Sequence, residues 1–197
     1  APARLALVEE RPQLARNAFQ RLSDMLESHG SRPSSERGAR RRWKLFDDPF
    51  GSGRDAVFGL DGPLDERVAT LRAAARALGP ERRVILLHGP VGSSKSTIAR
   101  LLKRGLEEYS RSDEGALYTF SWDVDGEVTP SPMNQDPLLL IPQEARASVE
   151  ERLNKKLRRE YRLRIDGELD PVSRWFFKTL MERYAGDWKK VVSHVRV

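Results

Sequence analysis

Nine consecutive residues carry the most chemistry in this chain: Gly89-Pro90-Val91-Gly92-Ser93-Ser94-Lys95-Ser96-Thr97. Small residues at this spacing let backbone N–H groups curl around an anion with no side chain in the way. A helix entered at Lys95 points its positive end and its free amides at the same place. In that arrangement Lys95 would reach the β- and γ-phosphates of a nucleotide, and the Ser96 hydroxyl would sit on Mg²⁺. Lys95 is therefore the candidate catalytic residue and Ser96 the candidate metal ligand. All of Gly89, Pro90, Val91, Gly92, Ser93, Ser94, Lys95, Ser96 and Thr97 are candidate nucleotide contacts. The phosphate-loop template reads Gly-x-x-x-x-Gly-Lys-Ser/Thr, and Ser94 stands where its second glycine belongs. A side chain there is expected to force a sparsely populated backbone conformation costing roughly 1–3 kcal/mol, unless Gly92 carries the needed freedom. The competing reading is a Gly/Ser loop before an ordinary helix, with Lys95 solvated.

The flanking sequence is what such a loop requires. Arg83-Val84-Ile85-Leu86-Leu87-His88 enters it as an apolar run, read as a central strand. Ile98, Ala99, Leu101, Leu102 and Leu106 leave it at helical spacing, predicting a helix from Lys95 to about Tyr109. Ala116 to Trp122 alternates and is β-rich, so a second strand is expected. A helix between two strands makes a βαβ unit with parallel pairing and a right-handed crossover. The fold class expected is thus α/β: a P-loop NTPase with a parallel sheet flanked by helices.

Upstream, residues 3 to about 29 carry an apolar stripe (Leu14, Phe19, Leu22, Met25, Leu26) interrupted at Pro12 and stopped by Gly30. This reads as an N-terminal helical extension over 1–30. Composition then turns to Gly, Ser, Pro and Arg, giving a linker over 31–45. The P-loop domain is expected over 46–197. Trp43, Leu45, Phe46, Pro49 and Phe50 form an aromatic patch, read first as buried anchors and alternatively as a wall for an adenine ring. A helix from Leu64 to Leu78 follows, capped by Asp61 or Gly62, with Val68, Leu71, Ala75 and Leu78 facing the core.

Downstream, prolines 130, 132 and 137 predict an irregular stretch from Asp123 to Pro137. Leu138-Leu139-Leu140-Ile141-Pro142 reads as a buried loop or short strand. A metal-holding acid should follow such a run at once, and Pro142-Gln143-Glu144 does not place one there. A charged helix is expected over Gln143–Tyr161, bearing Lys155, Lys156, Arg158 and Arg159. Another opens at Asp170-Pro171 with Trp175, Phe176, Leu180, Met181 and Tyr184 apolar. A last one runs over Asp187–His194 with Trp188, Val191 and Val192 buried.

The 197 residues carry a formal charge of +6, compatible with anionic partners but spread along the chain. The one dense run, Arg40-Arg41-Arg42-Trp43-Lys44, reads as solvated linker, and nucleic acid is not the expected partner. No cysteine is present, which excludes disulfides and thiolate chemistry and suits a reducing cytoplasm. The three histidines are far apart, so no His-rich metal spacing exists. No apolar run approaches the ~20 residues of a membrane span, and the basic-then-apolar order of a signal peptide is missing. The first residue is Ala rather than Met, as in a fragment or a trimmed chain.

Five stretches together resemble the AAA+ module of the PrkA family of bacterial serine protein kinases. They are Pro12 to Leu22, Phe46-Asp47-Asp48-Pro49-Phe50, Phe58-Gly59-Leu60-Asp61, the loop Gly89 to Ser96, and Ser131-Pro132-Met133-Asn134-Gln135-Asp136-Pro137 running on to Pro142. The resemblance implies a cytoplasmic, ATP- and Mg²⁺-binding AAA+ domain joined in full-length members to a kinase-like domain. It also implies action on protein serine or threonine, or alternatively ATP-driven proteolysis or remodelling of protein substrates, with homo-oligomers possible. In that family the Ser-Ser form of the loop is an accepted variant. The chain stops before a recognisable Walker B acid, sensor or arginine finger, so ATP binding with poor turnover is expected of it alone. Other readings of the loop are a small-molecule P-loop kinase, a nucleic-acid-stimulated motor and a degenerate loop used as an oligomer scaffold.

Overall fold

The computed structural model describes residues 2–37, 40–82, 84–155, 157 and 162–197. Arg83 of the expected strand and Lys156, Arg158, Arg159 and Tyr161 of the expected charged helix lie outside the described residues. The chain divides into two compact units, one of Ala1–Ala15, Leu117–Leu157 and Leu163–Val197, the other of Arg16–Ala116 with Arg158–Arg162.

The unit that carries the loop is built on three helices: α2 (Ala18–His29), α3 (Asp61–Ala75) and α4 (Lys95–Tyr109). Asn17 opens α2 with a reciprocal cap: its side chain accepts from the Gln20 amide and the Gln20 side chain accepts from the Asn17 amide, both at 3.0 Å. That satisfies two amides the first turn leaves free. Gly30 ends α2 at φ +74°, as the sequence predicts. The Gly/Ser/Pro/Arg stretch that follows contains a short antiparallel pair, β1 (Ser31–Pro33) with β2 (Arg41–Trp43). A 3-10 turn over Lys44–Asp47 then buries Leu45 and Phe46.

These pieces share one core: Met25, Leu26, Trp43, Leu45, Phe46, Val57, Leu64, Val68, Leu71 and Leu101. Each large apolar side chain so buried is worth about 1.5–3 kcal/mol. Asp61 does not cap α3. Its carboxylate accepts from Arg42 Nη1 at 2.7 Å and from Ser34 Oγ at 2.5 Å, and it is buried. Arg42 also reaches Asp47 at 2.7 Å and the Val57 carbonyl at 3.0 Å. Burial opposes the Arg42 charge, but the hydrogen bonds and charges of Asp47 and Asp61 outweigh it and hold its pKa above the ordinary value. The helix ends at Ala75, earlier than its apolar spacing suggests, so Leu78 is exposed and not a core residue.

The other unit holds α1 (Pro2–Glu10), α5 (Gln143–Asn154), α6 (Pro171–Arg183) and α7 (Trp188–Ser193). Its sheet has three antiparallel strands: β3 (Ser121–Val124) between β4 (Glu127–Pro130) and β5 (Val195–Arg196). Trp122 is fully buried and stacks on Phe176 at 5.6 Å. Phe120, Leu140, Leu180, Val191 and Val192 complete that core, while Val8, Leu138, Ile141 and Leu163 belong to a second cluster. Of the apolar residues on α6, Leu180 is buried and Trp175 is exposed.

The sheet differs from the expectation. Among the described residues every strand pair is antiparallel, and no parallel βαβ pairing is present. Residues 84–90 carry no strand and pair with none of the strands among the described residues. Val84 and Leu86 stand 93% and 72% exposed, while Ile85 packs against the core of its unit. The second expected strand begins only at Ser121 and turns back at once through Asp125 and Gly126.

Candidate functional site

Lys95 begins α4 as the spacing predicts, and the helix runs to Tyr109. Two features seat it. Leu101 is fully buried. Gly105, not singled out by the periodicity, lies so close to its neighbours that an added Cβ would meet Met25 Sδ at 2.7 Å and Leu45 Cδ1 at 2.9 Å. A residue without a side chain is what lets α4 pack this near α2 and the 3-10 turn. On the helix flank Arg100 pairs with Asp55 at 3.1 Å.

The loop itself turns on two residues in the left-handed region. Gly92 has φ +82° with open space around it. Ser94 has φ +57° and ψ +13°, so the serine that replaces the template's glycine adopts the glycine's conformation. Its carbonyl accepts the first helical bond, from the Ile98 amide at 2.9 Å. Its hydroxyl makes no capping bond, so no Ser94 cap competes for the amides of Lys95, Ser96 and Thr97.

Lys95 folds back over this curve. Its ammonium donates to the Gly89 carbonyl at 2.8 Å, the Pro90 carbonyl at 2.5 Å and Ser93 Oγ at 2.9 Å. Ser93 in turn donates to the Pro90 carbonyl at 2.8 Å. These bonds bring Gly89, Pro90, Ser93 and Lys95 together within the loop. Ser96 is exposed in the first turn of α4, Thr97 is half-buried beside it, and Val91 is fully exposed at the loop's outer edge.

The chemistry available is anion binding by amides, with the Lys95 ammonium held inside the curve and the Ser96 hydroxyl exposed beside it. Phosphates fit this donor set. Among the described residues no group of three His, Cys, Asp or Glu could hold a metal ion. Of the loop's side chains, the exposed Ser96 hydroxyl is the one that could offer Mg²⁺ an oxygen beside phosphate and water. The aromatic patch resolves as packing: Trp43, Leu45 and Phe46 are buried in the core, and Phe50 meets the His29 ring edge-on at 5.5 Å. Burial holds the His29 pKa below its ordinary value. Glu144 is exposed in the first turn of α5. Among the described residues no helix is long and apolar enough to cross a membrane.

Residues 4–196 match the family model described as the PrkA AAA domain. Over 183 residues, 92% of this chain, the sequence is 33% identical to the ATP-dependent protease PrkA of Bacillus subtilis (strain 168). The chain spans 24% of that relative's length. No solved structure matches the chain.

Proposed function

This chain belongs to the PrkA AAA-domain family, and from that membership we propose that its loop from Gly89 to Thr97 binds Mg·ATP. The observation that carries the reading is the Lys95 ammonium drawn across a glycine-type turn at the uncapped start of α4. Lys95 would hold the β- and γ-phosphates. The amides from Gly92 to Thr97 would surround them, and Ser96 would supply the protein's oxygen to Mg²⁺. Transfer of the γ-phosphoryl group is the chemistry ATP supplies when bound. Loss of ATP binding in Lys95→Ala, with folding intact, is the test.

An α/β P-loop fold goes with an AAA domain. We place residues 84–88 as a strand of its parallel sheet, supported by Ile85 packed inward and by Val84 and Leu86 free to meet a further layer. Hydrogen exchange tests this: amides 84–88 should be protected in a chain of the relative's full length and exchange freely in the 197 residues.

ATP binding serves, in this reading, work on protein substrates in a longer, cytoplasmic and oligomer-forming protein. The name of the Bacillus relative, an ATP-dependent protease, favours ATP-driven proteolysis. Transfer of phosphate to protein serine or threonine is the reading that the wider resemblance implies. One assay separates them: radiolabel from γ-labelled ATP appears on protein serine or threonine only in the second, and ATP-dependent peptide release only in the first.

A further inference from the structure

Three oxygens hold Lys95 within the loop, and only one belongs to a side chain. The Gly89 and Pro90 acceptors are backbone carbonyls, fixed by the path of the chain. The third is Ser93 Oγ at 2.9 Å. An ammonium has three donors, so these contacts use them all. Ser93 is also oriented: its own proton goes to the Pro90 carbonyl at 2.8 Å, which turns the lone pairs of its oxygen toward the ammonium. The fit around it is close, since a Cβ at Gly89 would meet Ser93 Oγ at 2.8 Å.

We propose that Ser93 is the positioning residue for Lys95, holding its ammonium across the loop until a phosphate oxygen replaces the hydroxyl. The replacement half of this proposal rests on the nucleotide reading above, and the holding half does not. Of the three contacts, the neutral hydroxyl is the one that can rotate away without moving the backbone. An anionic phosphate oxygen is also a stronger acceptor for an ammonium than a hydroxyl. Ser93 therefore competes with the ligand in the free protein. Its removal frees one donor in advance, and the net value of such a bond corresponds to about fivefold.

Two readouts test this on the 197-residue chain with Ser93→Ala and Ser93→Thr, the second keeping the hydroxyl. The first needs no nucleotide: brief acetylation with acetic anhydride, read by mass spectrometry. Lys103 and Lys178, whose side chains are 77% and 79% exposed, serve as internal standards. Lys95 should react slower than both in the parent, about fivefold faster in Ser93→Ala, and at the parent rate in Ser93→Thr. Equal Lys95 rates in all three proteins would overturn the positioning role. The second readout is Mg·ATP affinity, which should be about fivefold tighter in Ser93→Ala and unchanged in Ser93→Thr. Unchanged or weaker binding in Ser93→Ala would overturn the competition. Lys95 labelling that follows Ser93 in a parent that binds no Mg·ATP would sink the nucleotide reading and leave the positioning role standing.

Discussion

Gly105 and Met25 approach so closely that a methyl group added to the glycine would lie 2.7 Å from the methionine sulfur. The contact fixes how near the loop-bearing helix sits to α2. On its other side the same methyl would meet Leu45 at 2.9 Å. Leu45 and Met25 are both fully buried, so their side-chain ends would have to shift inside the packed core. Gly105→Val should therefore destabilise the chain by about 1–3 kcal/mol through overpacking, despite replacing a glycine inside a helix. Urea melts followed by circular dichroism would measure it, and a stability equal to the parent's would refute the close packing.

Ser94 sits in the left-handed region at φ +57°, where a residue with a Cβ costs roughly 1–2 kcal/mol more than glycine. Ser94→Gly should recover part of that cost, raising the melting temperature by about 2–4 °C per kcal/mol for a chain of this size. It should bind Mg·ATP at least as tightly as the parent. A lowered melting temperature would mean that the serine side chain stabilises the loop in a way its hydrogen bonds do not show.

Val84 and Leu86 are exposed while Ile85 packs inward. Leu86→Asp should then change the stability of this chain by no more than about 0.5 kcal/mol. Ile85→Asp should cost about 2 kcal/mol or more, since it puts a charge against the core. A buried central strand would make both substitutions severe, so chemical denaturation of the pair discriminates the two arrangements.

Asp170 caps α6, accepting from the Ser173 amide at 2.9 Å and from Ser131 Oγ at 3.2 Å. Burial by itself would raise its pKa, but the bonds from Ser173, Ser131 and Val172 outweigh it and hold the carboxyl below the ordinary 3.8. The folded value is the lower one, so the unfolded chain binds the proton first. The stabilisation is fully present above the unfolded value and is lost as pH falls through the folded one. Asp170→Asn, which keeps a capping oxygen, should flatten stability against pH below about pH 4. An acid limb as steep as the parent's would contradict that assignment.

Much of the site was legible in the sequence because its signals are local. The Lys95 helix, the cap-like stop at Gly30 and the conformational demand on Ser94 all follow from residues within one or two turns. Buried Leu138 and Leu140 in a short 3-10 turn, Val191 and Val192 in α7, and Asp170 opening α6 were equally readable. What was not legible depends on partners distant in sequence. An apolar run such as Val84–Leu87 becomes a strand only where another segment supplies hydrogen bonds, and strand propensity alone cannot provide that. The hairpin at Ser121–Pro130 was hidden under its prolines, although Asp125-Gly126 between alternating residues is a strong two-residue turn signal. Leu78 was misplaced because helical spacing continues past the helix end. Gly105 reads as a weak point in a helix until the side chains beside it are known.

The most direct test of the nucleotide reading is calorimetric titration of Mg·ATP into the 197-residue chain and into Lys95→Ala, with circular dichroism confirming that both are folded. The parent should bind at one site. The variant, lacking the ammonium that Gly89, Pro90 and Ser93 hold in place, should bind at least tenfold more weakly, as expected when a charged hydrogen-bonding group worth about 1.5–3 kcal/mol is removed. Equal affinity in the two proteins would place the nucleotide somewhere other than this loop.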